Sequence, residues 1–381
     1  MRPSRSPATM PDVARRAGVS VSTVSRTLRG LPTVSPATRH RVEQAAKELS
    51  FSISRSASSL VTGRTGRVAV MVPTLQSWFM GAMLAGLSSV LRAADLDLLI
   101  YDVPSMAERA AFFERLPARR NADALLVASF DLSATERERL DELGMPVVFV
   151  SQQMAGRAGV RVDDVEGARH GTQYLVNVGH RRIAFVQTDS GKGFSFSAQE
   201  RVEGYRKVLA ESGIPVDESL VFRGGTGRRA GADAVAHLLS EPQPPTAVFA
   251  ESDEVAIGVL QALRTSRIRV PETISVLGFD NHEMAELFDL STVAQSPDEV
   301  GRAAGELVRS ILENDEADDA RQVVLPTRLI LRGSTAPLAA SDTTPAGRPR
   351  KPKATDRPLK ANKQGPAAGR STGAGGKGAR G

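Results

Sequence analysis

From Arg67 onward, short apolar runs alternate with amphipathic segments along most of the chain. Fully apolar strands that alternate with helices are typical of parallel sheets covered on both faces. Because the chain contains more than six such units, too many for one doubly wound sheet, the pattern predicts an α/β body of two lobes. The predicted strands are 68–72, 96–101, 124–129, 147–150, 183–186, 247–250 and 275–279. The predicted helices include 80–94, 165–178, 198–212 and 254–265.

The segment 9–49, which precedes this body, has the pattern of three short helices. Thr9 and Asp12 form a capping box at the start of the first helix, and Gly18 ends that helix. Ser20 can cap the second helix, which is amphipathic and turns its apolar residues inward. This arrangement is typical of a helix-turn-helix, although any small three-helix bundle would share it.

The exposed face of the second helix favours the helix-turn-helix. It carries hydroxyl and guanidinium groups and no acidic residue, whereas ordinary surface helices mix Glu and Lys. Such a face suits DNA, because recognition helices place their N-terminal residues in the major groove. We therefore predict that Val21 and Ser22 contact bases and that Arg26 contacts guanine. The predicted contacts to the phosphate backbone are Thr23, Ser25 and Arg29.

Several longer motifs are distributed along the chain. In the helical segment they are Asp12-Val13-Ala14, Ala17-Gly18-Val19-Ser20, Ser22-Thr23-Val24-Ser25-Arg26 and Val34-Ser35. In the body they include Val162-Asp163-Asp164, Gly179-His180-Arg181-Arg182-Ile183-Ala184-Phe185, Pro245-Thr246-Ala247-Val248-Phe249 and Val276-Leu277-Gly278-Phe279-Asp280. Through these motifs the chain closely resembles the lac/gal repressor (LacI/GalR) family of bacterial regulators over residues 9–331.

The resemblance implies a fold. It consists of an all-α DNA-binding head and an α/β body of two doubly wound parallel-sheet lobes, similar to the type I periplasmic sugar-binding fold. The implied chain crosses between the lobes three times, near 162–163, near 291–297 and after 324, and the ligand lies in the cleft between the lobes.

The resemblance also implies a hinge that ends at residues 63–66 and folds as a helix on operator DNA. Leu60 is then the wedge inserted into the minor groove, and Ala57 is a small contact residue beside it. The serine-rich run 50–59 has weak intrinsic helicity, so a flexible linker is the alternative. Folding on binding is compatible with both.

Charge is unevenly distributed along the chain. Residues 1–64 carry a net charge of +8 and residues 346–381 a net charge of +9, so the total of +6 leaves −11 for the residues between them. A basic head on an acidic body concentrates the attraction for DNA phosphates at one end. The tail, rich in Pro, Gly, Lys and Arg, is predicted to be disordered. It either adds nonspecific DNA affinity or only improves solubility.

Composition narrows the class of protein further. The chain has no cysteine, which excludes disulfides and thiolate chemistry and fits a reducing compartment. Its five histidines show no metal-binding spacing, and it has neither a signal peptide nor an apolar run of membrane-spanning length. We therefore expect a cytoplasmic protein without cofactor, metal or membrane partner. A free, exported sugar-binding protein would need a signal peptide and would lack the DNA-binding head.

The ligand site is predicted where the carboxyl ends of the strands of both lobes meet. The resemblance implies that Arg201, in an Arg-x-x-Gly-Tyr pattern, binds ligand oxygens and that Asp280 accepts from ligand hydroxyls. An interdomain ion pair without ligand is the alternative for these two residues. Trp78 and Phe79 are candidates for packing on a sugar ring, although Trp78 could instead belong to the core. The other candidates are Leu75, Ser151, Ser197, Ser252 and Asp253.

An enzymatic alternative rests on the glycine-rich loop 225–230, which has the pattern G-x-G-x-x-A after a short apolar run. Such a loop could hold a nucleotide cofactor, with Glu251 on its ribose. The loop lies late in the chain, however, and no group suited to hydride transfer accompanies it. We therefore expect no enzyme activity. The motif 179–182 is interpreted as a helix end followed by a solvated turn, not as a catalytic motif.

Together these features predict a sequence-specific transcriptional regulator. The predicted domains are a helix-turn-helix head (1–50), a hinge (51–66), a two-lobed effector-binding and dimerisation domain (67–336) and a disordered basic tail (337–381). The expected function is repression from a palindromic operator that the protein binds as a homodimer. The expected control is a small-molecule effector of the sugar class in the cleft.

Overall fold

The computed structural model of this chain describes residues 8–28, 32–51, 63–189, 196–314 and 320–338. The N-terminal part contains three helices, α1 (Met10–Ala17), α2 (Val21–Leu28) and α3 (Pro36–Glu48). The three helices enclose a small apolar core of their own, formed by Val13, Ala14, Ala17, Val24, Val42, Ala45 and Ala46. The predicted capping box is present at α1, where the Thr9 amide donates to the Asp12 carboxylate at 3.0 Å.

The body alternates strands with helices, as the apolar pattern predicts. Its strands are β1 (Arg67–Val72), β2 (Asp97–Asp102), β3 (Ala124–Ala128), β4 (Val147–Val150), β5 (Gly159–Val162), β6 (Ile183–Gln187), β7 (Val221–Arg223), β8 (Ala247–Ala250), β9 (Ser275–Asp280), β10 (Ser291–Ala294), β11 (Gln322–Leu325) and β12 (Arg328–Ile330). Its helices are α4 (Trp78–Ala93), α5 (Met106–Arg115), α6 (Ala134–Asp141), α7 (Asp164–Asn177), α8 (Phe196–Glu211), α9 (Gly227–Ser240), α10 (Asp253–Thr265), α11 (Met284–Leu287) and α12 (Pro297–Glu313).

These elements form two six-stranded sheets, one in each lobe. The sheet of lobe 1 has the order β11-β5-β4-β3-β1-β2 and is parallel throughout. The sheet of lobe 2 has the order β12-β10-β9-β8-β6-β7, and only the pairing of β12 with β10 is antiparallel. The chain crosses between the sheets after β5, after β10 and between β11 and β12, at the positions that the family resemblance implies.

Each sheet is buried on both faces, which explains why its strands are apolar at every position. In β1, Val68, Val70 and Val72 pack against α4 and α12, whereas Ala69 and Met71 pack on the opposite side against α5. Glycines allow the closest helix pairs. A Cβ on Gly301 of α12 would lie 1.9 Å from the Met83 carbonyl oxygen of α4, so the two backbones touch there.

Five strands of the described residues were not identified from the sequence, namely β5, β7, β10, β11 and β12. Each has only three or four residues, and most have a polar or exposed face. The interpretation of 179–182 needs one correction. Gly179 follows the end of α7 with a φ of 102°, but His180 is buried, not solvated. Its ring bonds the Thr246 hydroxyl and the Ala336 carbonyl, which fastens the segment after β12 to lobe 2.

Within the described residues, no helix combines the length and the apolar composition needed to cross a bilayer. The predicted disordered tail lies almost entirely outside the described residues, which end at 338.

Candidate functional site

Helix α2 presents most of the residues predicted to contact DNA. Three of them are exposed, namely Val21, Ser22 and Arg26, and two are half-buried, namely Thr23 and Ser25. Ser20 fixes the start of the helix, because its Oγ accepts from the Thr23 amide at 3.1 Å. The first turn of α2 contains no acidic residue. The remaining predicted contacts, Arg29, Ala57 and Leu60, lie outside the described residues.

A cavity of about 500 Å³ lies between the two lobes, at the carboxyl ends of their strands. This volume lies within the range of small-molecule sites. Lobe 1 contributes Pro73, Thr74, Gln76, Ser77, Phe79, Met80, Pro104, Ser129 and Ser151. Lobe 2, with the crossing that follows β10, contributes Asp164, Thr188, Ser197, Arg201, Thr226, Gly227, Glu251, Ser252, Glu254, Asp280 and Gln295.

Arg201 is the centre of the polar network in this cavity. Its guanidinium is buried and donates from Nε to Asp164 Oδ1 at 2.7 Å and from Nη1 to the Glu251 carbonyl oxygen at 2.5 Å. Nη1 also lies 3.5 Å from Asp280 Oδ1, to which the Gln295 amide donates at 2.7 Å. The guanidinium lies over the Phe279 ring, with Cζ 3.6 Å from the ring centroid. The ion pair with Asp280 therefore lies within lobe 2 and does not join the lobes.

Burial shifts the pKa values of this network. It raises the pKa of Asp280 to about 7, although the charge of Arg201 opposes the rise. Burial lowers the pKa of Arg201, but the charges of Asp164 and Asp280 outweigh it, so the pKa stays above its ordinary value. The guanidinium thus remains charged, and its Nε and Nη1 are bonded to acceptors of lobe 2.

Three cavity residues adopt a backbone conformation that non-glycine residues rarely adopt. Ser129, Ser151 and Asp280 follow or end β3, β4 and β9, and their φ angles are 60°, 54° and 115°. Positive φ costs free energy in such residues and is concentrated at functional sites. All three strand ends turn sharply here, and the turns bring polar side chains to the cavity.

Six of the nine residues predicted to bind the effector line this cavity, namely Phe79, Ser151, Ser197, Arg201, Ser252 and Asp280. The other three are placed elsewhere. Leu75 is exposed on the loop after β1. Trp78 stacks on His282 of lobe 2, with ring centroids 4.6 Å apart, and is not among the lining residues.

Asp253, the third of these, is fully buried and is part of the framework of lobe 2. Its carboxylate accepts from the His282 amide at 2.8 Å and from the Thr292 hydroxyl at 2.7 Å. The carboxylate fits because residue 278 is glycine, where a Cβ would lie 2.0 Å from Asp253 Oδ1. Burial, followed by the nearby charge of Asp280, raises the pKa of Asp253 to about 8.

Several lining residues were missed in the sequence, above all Asp164, Glu251 and Gln295. Glu251 directly follows β8, so the rule that selected Ser252 and Asp280 applied to it as well. Asp164 and Gln295 follow β5 and β10, which were not identified from the sequence. The glycine-rich loop that suggested a cofactor site leads into α9, and its Thr226 and Gly227 line the cavity. Gly225 has a φ of 61°, and a Cβ there would lie 2.9 Å from the Ala230 amide nitrogen. The turn into α9 therefore accounts for the glycine at position 225.

Models of known families match both the N-terminal part and the body of the chain. The model of the lacI family of bacterial regulatory proteins matches residues 9–54, and the periplasmic binding protein-like domain matches residues 172–335. The transcriptional repressor CytR of Escherichia coli (strain K12) is 32% identical over 337 residues, which cover 87% of this chain and 97% of CytR. The transcriptional regulator CelR of Thermobifida fusca is 34% identical over 336 residues, which cover 86% of this chain and 98% of CelR.

Solved structures agree with these relatives. The lac repressor dimer bound to operator and the anti-inducer ONPF has a TM-score of 0.77 at 25% identity, and the match covers 87% of this chain and all of that chain. A complex of the transcriptional regulator CelR with cellobiose has a TM-score of 0.64 at 31% identity, covering 86% and 99%. With a DNA-binding head, two parallel-sheet lobes and near full-length relatives, this chain belongs to the lacI family of bacterial transcriptional regulators.

Proposed function

We propose that this regulator is a repressor that binds a near-palindromic operator as a homodimer and responds to a sugar-class effector in the cleft. The observation that carries the proposal is the buried Arg201 network, which opens onto a cavity of about 500 Å³ in the same chain as an acid-free recognition helix. The chain thus combines a helix surface suited to DNA with a cavity suited to a small molecule.

The DNA-binding role rests on α2. Its exposed N-terminal residues Val21 and Ser22 are in the position from which recognition helices contact bases, and Arg26 is long enough for a bidentate contact to guanine. One small head buries too little DNA to be highly specific. Two heads related by a twofold axis would read two half-sites, which is why a near-palindromic operator is proposed.

Dimerisation is supported by an apolar surface on lobe 2. Met284 and Leu287 of the short helix α11, and Phe288 directly after it, are 36%, 75% and 38% exposed. Large apolar side chains clustered at a surface are typical of protein interfaces. The related lac repressor was solved as a dimer on operator DNA. We therefore propose that α11 contributes to the contact between two copies of this chain.

The cleft supports a sugar-class effector. Its wall combines hydroxyls, carboxylates and a guanidinium with the Phe79 ring, which is the mixture that sugars require of a binding site. Related complexes contain cellobiose and ribose. An effector that binds one relative position of the lobes better than the other would shift the equilibrium between the two and so change the spacing of the two heads.

The test is selection of bound sequences from a random duplex pool by the full-length protein. We expect a palindromic sequence to be enriched. Arg26→Ala should weaken binding to that sequence by about 1–3 kcal/mol and leave binding to random duplex unchanged. Arg15→Ala, on the exposed side of α1, is the matched control. No enrichment by the unaltered protein, or equal losses on both DNAs, would contradict the proposal.

A further inference from the structure

Glu251, a residue outside the predicted site, has one carboxylate oxygen without a partner. The side chain follows β8 and is 7% exposed. Its Oε1 accepts from the Thr188 hydroxyl at 2.5 Å, whereas Oε2 is buried and has no hydrogen-bond partner among the described residues. A buried oxygen left unsatisfied costs free energy, and native proteins rarely leave one without reason.

The backbone of Glu251 is held rigidly, so the side chain starts from a fixed position. Its amide donates to the Val186 carbonyl at 2.8 Å, and its own carbonyl accepts from Arg201. Glu251 also lines the cavity. The unpaired oxygen thus belongs to a side chain of the cavity wall.

The charge around this oxygen opposes anions. Four carboxyl groups line the cavity, those of Asp164, Glu251, Glu254 and Asp280, against the single guanidinium of Arg201. That guanidinium already lies against two of them. Helices α4, α7, α8, α9 and α10 begin near the cavity, and each helix N-terminus contributes about half a positive charge. In α10 the first turn also contains two acidic residues. Burial raises the pKa of Asp164, Glu251 and Asp280, which weakens this negative charge, but the acidic groups of the described lining still outnumber its one cation by four to one.

We infer that Glu251 determines effector specificity: Oε2 accepts from a hydroxyl of an unphosphorylated sugar or nucleoside, and the acidic lining rejects the phosphorylated form of the same molecule. This inference rests on the proposed function, because it assigns the ligand of the same cleft. Among the described lining residues a phosphate would meet four acidic side chains and no cation except Arg201, so like charges would oppose its binding.

The experiment is titration calorimetry on the full-length protein, without DNA. The compounds are ribose, glucose, cellobiose, adenosine and cytidine, each single-unit compound paired with its 5′- or 6-phosphate. We expect binding only among the unphosphorylated compounds, with each phosphate weaker by about 100-fold or more. Tighter binding of any phosphate than of its partner would overturn the inference, as would no binding by every unphosphorylated compound at millimolar concentration.

A matched pair of variants separates ligand recognition from structure. Glu251→Gln keeps the bond from Thr188 but replaces Oε2 by a donor, so we expect the affinity for the sugar to fall by about tenfold. The preference for the unphosphorylated form should fall as well, because one negative charge is lost. Glu272→Gln removes an exposed acidic side chain of the same lobe that does not line the cavity, and should change neither value.

Unchanged affinity and unchanged preference in Glu251→Gln would overturn the inference. A loss of stability alone would also count against it, because a purely structural role moves the unfolding midpoint without moving the ratio of the two affinities. DNA selection requires no effector, so the failure of this inference is distinguishable from the failure of the proposed function.

Discussion

The two walls of the cleft differ although the two lobes share one architecture. Among the described lining residues, lobe 1 contributes hydroxyl, amide and apolar side chains and no charged group. All five charged lining residues belong to lobe 2: Asp164, Arg201, Glu251, Glu254 and Asp280. We therefore propose that lobe 2 recognises the ligand chemically, while lobe 1 covers it.

A physical reason supports this division. Buried charges are costly unless they are paired, and Arg201 pairs with Asp164 and Asp280 inside lobe 2. These ion pairs therefore do not depend on lobe 1. The hydroxyls and rings of lobe 1 can be exposed to water at little cost, so lobe 1 can move away without leaving a charge unpaired. A preformed network also lowers the cost of ordering side chains when a ligand binds.

The largest effect is expected from Arg201→Ala. This change removes the cation and leaves Asp164 and Asp280 buried together, so unfolding free energy should fall by about 3–5 kcal/mol. Effector binding should be lost. Urea unfolding and calorimetry measure the two effects, and Arg201→Lys should restore only part of the binding because lysine lacks the planar fork. Normal effector affinity in Arg201→Ala would end the assignment of recognition to lobe 2.

A smaller effect is expected on the opposite wall. Phe79→Ala in lobe 1 should weaken effector binding by about tenfold, because an aromatic ring that covers the ligand is removed. The ratio between unphosphorylated and phosphorylated compounds should stay the same. Calorimetry with the same compounds measures both. A change in that ratio equal to the change in Glu251→Gln would contradict the division between the two walls.

The contact between the lobes can be followed through Trp78, which is the only tryptophan of the chain. Its ring packs on His282 across the cleft, 4.6 Å between centroids. His282→Ala should make Trp78 fluorescence more sensitive to quenching by acrylamide. His170→Ala, an exposed histidine on α7, is the control and should have no effect. Equal quenching in all three proteins would show that Trp78 does not report on contact between the lobes.

A further effect concerns the pH dependence of stability. The pKa of Asp253 is raised to about 8 from an ordinary value of 3.8, so the folded state holds a proton that the unfolded state releases. Its contribution to stability is complete below the ordinary pKa and is lost as pH rises through about 8. Asp253→Asn should therefore lose less stability over this interval than the unaltered protein. Urea unfolding across the interval tests this, and identical slopes would contradict it.

Sequence reasoning was most successful where burial alone determines the pattern. Strands such as β3 and β8 are buried at every position, so uninterrupted apolar runs revealed them. The short strands escaped because their patterns are mixed: β5 contains Arg161, and β11 begins at the exposed Gln322. The helices of the head were identified by their caps, which are local interactions between residues three apart.

The site was harder to predict, because the direction of each side chain matters there as well as its position in the sequence. Glu251 and Asp253 are two residues apart after the same strand, yet one lines the cavity and the other is buried against β9 and β10. Only the tertiary structure separates them. Arg201 and Asp280 were found through the family motif, whereas Asp164 lay inside another quoted motif and its role depended on the packing of α7 against α8.

The most direct test of the account is the affinity of the full-length protein for its selected operator, measured by fluorescence anisotropy with and without a cleft-binding sugar. We predict that saturating sugar changes the affinity of the unaltered protein by about fivefold or more and leaves that of Arg201→Ala unchanged. Equal operator affinity with and without the sugar in the unaltered protein would contradict control of the DNA-binding head by the cleft.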